Sequence, residues 1–438
     1  MSISQKEFQQ RRSDLMSLME SNSIAILASA TPIVRNGDSE YRYRQNSDMY
    51  YLTGFSEAHS VLVLIPGREQ GRCLLFCQEK DPLKELWNGK LLGPESAITH
   101  LCMDDAFPIT DIDDILPGLI EGRDRVYYAM GKDELFDHKV MEWVNVVRKK
   151  VRSGAHSPGE FQVLDHLLHE MRLIKSKAEL DLMRESGQIA VRAHKRAMQV
   201  CKPGLNEYQV EAEFMHEFFK TGCRAPAYTS IVAGGANACI LHYTENNQPL
   251  IAGDLLLIDA GCEFEYYASD ITRTFPVNGK FSAEQKAIYE LVLKAQLAAI
   301  DTIKPGCHWN IPHDTTVKVL TEGLVELGLL QGDVAQLIET GAYKDFYMHR
   351  AGHWLGMDVH DVGDYKIEGK WRELEPGMVL TVEPGLYISP ANKNVEPRWL
   401  GIGVRIEDDV AVTRSGFEVL TSGLPKTVQE IETFMAAA

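Results

Sequence analysis

Long apolar runs are missing from this 438-residue chain, and no stretch is long enough to span a bilayer. The first residues, MSISQKEFQQRRSDLM, lack the apolar centre of a secretory signal. Paired cysteine rhythm is missing too. Eight cysteines are scattered, Cys73 and Cys77 being the closest pair, and no second pair completes a zinc-finger spacing. Reduced thiols in a cytoplasmic protein are the expectation. Positive charge is scarce: 45 Lys and Arg stand against 62 Asp and Glu, a formal net charge of −17. That excludes a broad nucleic-acid-binding surface, which needs clustered cations for phosphate. Part of this acidity is concealed if carboxylates hold metal cations. Low-complexity segments are also lacking.

What is present is a chain too long for one ordinary core, with a normal apolar share of 45%. The N-terminal third alternates short β-type runs (SIAILAS, SVLVLIP, RCLLFCQ, RVYYAM) with helical stretches such as DHKVMEWVNVVRKKV, an α/β pattern. A break follows near AHSPGE. SKAE at Ser176–Glu179 then reads as a capping box opening an amphipathic helix. The spacing predicts two domains, residues 1–174 and 175–438.

The second domain carries a faint internal repeat. KPG occurs at Lys202–Gly204 and again at Lys304–Gly306, each time before a helical stretch. GDLLLIDAG (Gly253–Gly261) matches GMVLTVEPG (Gly377–Gly385), each with an acid six residues after the first Gly. Two matches in the same order predict a duplicated α+β half-domain.

The stretch Leu255–Phe275, LLLIDAGCEFEYYASDITRTF, reads as a hairpin. Counting from its midpoint, between Phe264 and Glu265, sets Asp259 opposite Asp270, with Cβ atoms about 4.5–5.5 Å apart. Glu383 and Glu407 repeat the pattern around a midpoint at Val395. Facing like charges need a shared proton, a basic partner or a cation. A nitrogen ligand is at hand in MHRAGHWLGMDVHD, which packs His349, His353 and His360 into one Gly-rich stretch. Carboxylates with an imidazole favour manganese, cobalt, zinc or iron. Taken singly, each histidine reads as an ordinary structural residue. His242 after AGGANA reads equally as a surface-loop histidine or a functional one, Arg405 near Glu407 as an ion-pair partner or as a group that orients a ligand carboxylate, and Trp87 as packing.

The set Asp259, Asp270 in D-I-T-R-T, His353 in H-x-x-G-H, Glu383 in E-P-G and Glu407 in R-I-E-D resembles the metal-binding pattern of the pita-bread metallopeptidases. YRYRQNSDMYYLTGF (Tyr41–Phe55) and W-x-G at Trp87–Gly89 resemble the N-terminal domain of the aminopeptidase P branch. The resemblance implies an α/β N-terminal domain before an α+β pita-bread catalytic domain built of two pseudo-repeated halves. It implies two divalent metal ions, manganese foremost, held by Asp259, Asp270, His353, Glu383 and Glu407. It implies hydrolysis of the N-terminal Xaa-Pro bond by a hydroxide shared between the ions, with Glu383 as proton carrier. His360 and His242 would stabilise the oxyanion, with Arg405 fixing His360 or a carboxylate. His349 and Tyr228 would line the substrate pocket, with Trp87 reaching in from the N-terminal domain of a neighbouring subunit. The partners implied are peptides with proline second, in a dimer or tetramer, with neither nucleic acid nor membrane. A dipeptide-only prolidase and a metal-free pita-bread binding protein are the alternatives.

Overall fold

The structure is a computed structural model, and residues 2–437 are described. The chain divides into two compact units, Ile3–Arg172 and a second that begins at Leu173. Among the described residues, no helix is long and apolar enough to cross a membrane.

The first unit is built on a six-stranded mixed sheet. Its strand order runs Asp105–Pro108, Cys73–Cys77, Val61–Leu64, Ser23–Ala28, Arg125–Tyr128, Glu160–Val163. The four apolar runs read from sequence are its central strands, and their continuous hydrophobicity follows from burial on both faces. The helix Glu134–Arg148 buries Val140, Trp143, Val144 and Val147, which recur at helical spacing, against that sheet. The two outer strands, Asp105–Pro108 and Glu160–Val163, escaped the sequence reading. They are short and only partly buried, so they lack a strong apolar signature.

The second unit opens with the helix Lys177–Val200. Ser176 accepts from the Glu179 amide, and the Glu179 side chain returns to the Ser176 amide, closing the capping box. Its buried stripe includes Leu182, Met183, Ile189, Val191, Ala197 and Met198.

The duplication appears in hydrogen bonds. Each KPG lies between a pair of packed helices, Lys177–Val200 with Glu207–Lys220 and Ala283–Asp301 with Ile311–Glu326. Gly204 donates to the Leu250 carbonyl as Gly306 donates to that of Leu374, at 2.9 Å in both. Asn206 bridges Pro249 as His308 bridges Glu373. Each half ends in a three-stranded sheet. One contains Ile231–Gly234, Leu255–Asp259 and Thr272–Pro276; the other Val379–Val382, Asp408–Val412 and Phe417–Val419. The observed architecture is thus the α/β unit plus duplicated α+β unit expected.

Register decides where the acids fall. In the first hairpin the tight turn is Glu265–Tyr266, with φ of 48° and 70°, left-handed values suited to a two-residue turn. This is one residue later than the counted midpoint. Every cross-strand partner therefore shifts by two: Asp259 faces Thr272, and the continued register sets Asp270 opposite Gly261. The expectation that the two acids face each other directly is corrected. Because the shift is even, both stay on one face of the hairpin. A Cβ on Gly261 would lie 1.7 Å from the Ser269 carbonyl oxygen, so the strands close over this residue.

The second hairpin keeps the counted register. Val382 pairs with Asp408, and Gly385 with Arg405, so Glu383 is opposite Glu407. Between those pairs the ladder opens, and the Glu407 amide instead donates to the Thr272 carbonyl at 3.0 Å. That bond ties the two halves together beside the acids.

The close approach at Gly261 yields a prediction. Gly261→Ala will destabilise the protein by ~2–3 kcal/mol, because the neighbour met is rigid backbone. The expected fall in thermal midpoint is about 4–10 °C. Gly416→Ala, where nothing lies within 4 Å, serves as control. Equal midpoints for the two variants would contradict the packing described.

Candidate metal centre and active site

Asp259 and Asp270 from one hairpin, Glu383 and Glu407 from the other, and His353 converge on the floor of a cavity of about 1070 Å³. Ligand atoms of Asp270, His353 and Glu407 all lie within 4.8 Å of one another. Glu383 flanks this trio, its Oε1 3.7 Å from the His353 Nε2, while Asp270 Oδ2 is 3.4 Å from the same nitrogen. Asp259 is joined to the group through Tyr228, whose hydroxyl lies 2.6 Å from Asp259 Oδ1 and 2.5 Å from Asp270 Oδ1. One hydroxyl proton serves only one of these oxygens at a time.

Of the three remedies for repulsion, a Lys or Arg partner serves only Asp259 among the described residues. Arg405 Nη2 donates to Asp259 Oδ2 at 2.6 Å. Arg405 is buried, which opposes its charge, but Tyr387 and Asp259 hold its pKa well above the usual value. It fixes a carboxylate, the second of the two partners expected for it, and does not hold His360. Its Nε also donates to Thr272 Oγ1 at 3.1 Å, and Thr272 passes a hydrogen bond of 2.7 Å to Glu407 Oε2. Among the described residues, Asp270, Glu383 and Glu407 have no Lys or Arg partner. Burial first, then mutual repulsion, raises the pKa of Asp270, raises that of Glu407 far above the carboxylate range, and moves Glu383 to about 7.

These features fit a divalent cation. His353 is oriented as metal-bound imidazoles are: Nδ1–H donates to the Trp354 carbonyl at 2.9 Å, which leaves Nε2 facing the carboxylates. Its amide donates to Thr381 Oγ1 at 3.0 Å. Gly352 lets the loop approach, since a Cβ there would lie 2.0 Å from the Thr381 carbonyl oxygen. Behind His360, Asp361 Oδ2 accepts from Lys175 Nζ at 2.8 Å in a fully buried pair. A second acid–histidine cluster, Asp48, Asp165 and His169, makes the contrast. There Arg172 pairs with Asp48 and Lys132 with Asp165, each at 2.7 Å, so cations of the protein already balance the acids.

The remaining expected residues divide. His349, His360, His242 and Tyr228 all line the cavity. His360 stands edge-on to His353, ring centres 4.3 Å apart. His349 donates Nδ1–H to the Arg350 carbonyl at 2.7 Å and receives the Tyr387 hydroxyl at Nε2, 2.9 Å away. Desolvation first, then Arg405, lowers its pKa to about 4, so it stays neutral. Trp87 is not among the lining residues; it lies in the last turn of the helix Pro82–Asn88 in the first unit and is 83% exposed. Sequence reading missed Tyr387, which accepts from Arg405 Nη1 at 3.0 Å and so couples it to His349. It also missed Thr272 as the relay to Glu407. The T in D-I-T-R-T was the available signal.

The chain belongs to metallopeptidase family M24, whose model matches residues 181–414. Residues 8–127 match the aminopeptidase P N-terminal domain. The chain is 46% identical to a Xaa-Pro aminopeptidase of Haemophilus influenzae, covering 99% of this chain and 98% of the relative. It is 45% identical to the Xaa-Pro aminopeptidase of Escherichia coli over 100% and 99%. The solved structure of Pseudomonas aeruginosa aminopeptidase PepP superposes with a TM-score of 0.99 at 62% identity, covering 100% of this chain and 99% of that one. The protein is a metallopeptidase whose acid cluster suits divalent metal ions.

Protons compete with such ions for this site. Burial opposes charge on His353, but Asp270 and Glu383 outweigh it and raise its pKa to about 9; Glu383 titrates near 7. Both hold protons at pH 6, and a cation must displace them. Metal affinity will therefore rise between pH 6 and 8, about tenfold per pH unit for each proton released. Calorimetric titration of the apo protein, repeated in buffers of different ionisation enthalpy, measures both quantities. A pH-independent affinity without proton release would contradict this electrostatic picture.

Proposed function

We propose that this protein removes the first residue from peptides beginning Xaa-Pro. The observation that carries the reading is the buried, cation-poor cluster of acids around one oriented imidazole, at the base of a peptide-sized cavity. The relatives named above, similar along the whole chain, support the choice of substrate.

In this reading Asp259, Asp270, His353, Glu383 and Glu407 hold two divalent metal ions, manganese foremost. When bound, such a pair polarises the scissile carbonyl and activates water. The protein's own groups do the rest. Arg405 keeps the Asp259 carboxylate in place, and through Thr272 that of Glu407. Glu383 takes a proton from the attacking water and gives it to the departing nitrogen. An amide nitrogen leaves as a neutral amine only once it has gained a proton, so this proton is needed as the C–N bond breaks. His349 stays neutral and packs its ring against proline. His360 and His242, on the cavity wall, donate to the oxygen on which charge develops. Tyr228 closes the side nearest Asp259.

The reading extends to the assembly and the compartment. A homo-oligomer makes use of Trp87, whose exposed ring is available to a neighbouring copy. Eight cysteines without disulfides suit the cytosol.

With manganese, Xaa-Pro-Pro will be cleaved at least about a hundredfold faster than Xaa-Ala-Ala. Chromatography of the released first residue measures this. Equal rates would sink the proline specificity, and cleavage confined to the dipeptide Xaa-Pro would point to a prolidase. Glu383→Gln will lower kcat by about 10²–10⁴-fold.

A further inference from the structure

The cavity runs past the acids to a wall that the chemistry above does not use. Arg350, Lys366 and Trp371 line it there, with Asp364. Both cations stand over the same indole: the Arg350 guanidinium carbon is 4.9 Å from the Trp371 ring centre and Lys366 Nζ 4.3 Å. These are cation–π distances. Lys366 and Trp371 are direct cross-strand partners in a short hairpin, Lys366–Ile367 with Lys370–Trp371. Its turn residues Glu368 and Gly369 have φ of 51° and 79°, so a two-residue turn fixes the register. Arg350 directly follows His349 and is tied to Asn310 through Nη2. Its Asn310 partner is uncharged, and neither Arg350 nor Lys366 is in a salt bridge among the described residues. Asp364 is the one acid on this wall, against two cations.

An indole face attracts cations but does not neutralise them. Outward N–H groups on Arg350 and Lys366 remain available to an anion. The whole chain carries −17, so two cations gathered over one ring beside a peptide cavity stand against the prevailing charge. We infer that Arg350, Lys366 and Trp371 form a carboxylate-binding subsite for the downstream part of the peptide. The inference rests on the peptide reading above and deepens it. A peptide offers that carboxylate from two sources, its C-terminus or an acidic side chain beyond the proline. Free acids and acidic peptides are favoured over amides and neutral ones.

The manganese-loaded full chain is assayed with two peptide pairs. One is a tripeptide Xaa-Pro-Leu as free acid and as amide. The other is an amidated pentapeptide with Glu or Gln at the fourth position. We expect kcat/KM to favour the carboxylate member of at least one pair by about threefold to tenfold, chiefly through KM, with the preference shrinking in high salt. The pair that responds identifies the source. In Lys366→Gln and in Arg350→Gln the ratio will fall towards one, and in Lys318→Gln, on the exposed side of the helix Ile311–Glu326, it will not change. Binding of the same pairs to Glu383→Gln, followed by calorimetry, reads the ratio without turnover. Ratios of one in both pairs, by rate and by calorimetry, overturn the subsite. Failure to cleave any Xaa-Pro peptide, with the calorimetric preference intact, would instead overturn the activity and leave the subsite standing.

Discussion

Four carboxyl groups, from Asp259, Asp270, Glu383 and Glu407, share one enclosed pocket with a single guanidinium in direct contact. In a low-dielectric interior each uncompensated charge is costly. The fold must therefore hold against its own electrostatics. It does so with neutral donors: Tyr228 between the first pair, Thr272 on Glu407, and Thr381 beneath His353. Such groups orient oxygens without cancelling their charge. A lysine in their place would stabilise the empty site and abolish its affinity for cations. The next acid along shows the difference. Asp408 is met by Arg273, Lys426 and Gln296 and stays far below the usual carboxylate range despite burial. One residue separates a structural acid from a functional one, and the partner cations decide which is which.

The geometry also needs backbone to come close. Three of the four acids sit where a strand pair tightens or opens: Asp270 opposite the covered Gly261, and Glu383 and Glu407 at the gap in the ladder. The Glu407 amide, released from its own hairpin, bonds to the other half. The two halves thus meet through the residues that carry the chemistry.

Much of this could be read from the sequence for a simple reason. Strand residues alternate, so acids at matched distances from a turn fall on one face even when the count is off by an even number. The placement of the turn at Glu265–Tyr266 was invisible because neither residue is a glycine, the usual marker of positive φ. The KPG repeat was legible because the same turn solves the same joint twice. Tyr387 was not, because its role comes from a neighbour eighteen residues away in sequence and another on a separate loop. Lone aromatics carry no pattern that separates a hydrogen-bond relay from a packing residue.

Lys175 lies two residues beyond the point where the chain divides, yet its ammonium is wholly enclosed against Asp361, and its amide bonds to the Gly377 carbonyl at 2.9 Å. The first residues of the second unit are therefore fixed within that unit, beside the histidine loop. Any chain cut for this unit must keep Lys175, because losing its ammonium would leave the buried Asp361 carboxylate without that partner beside the histidine loop.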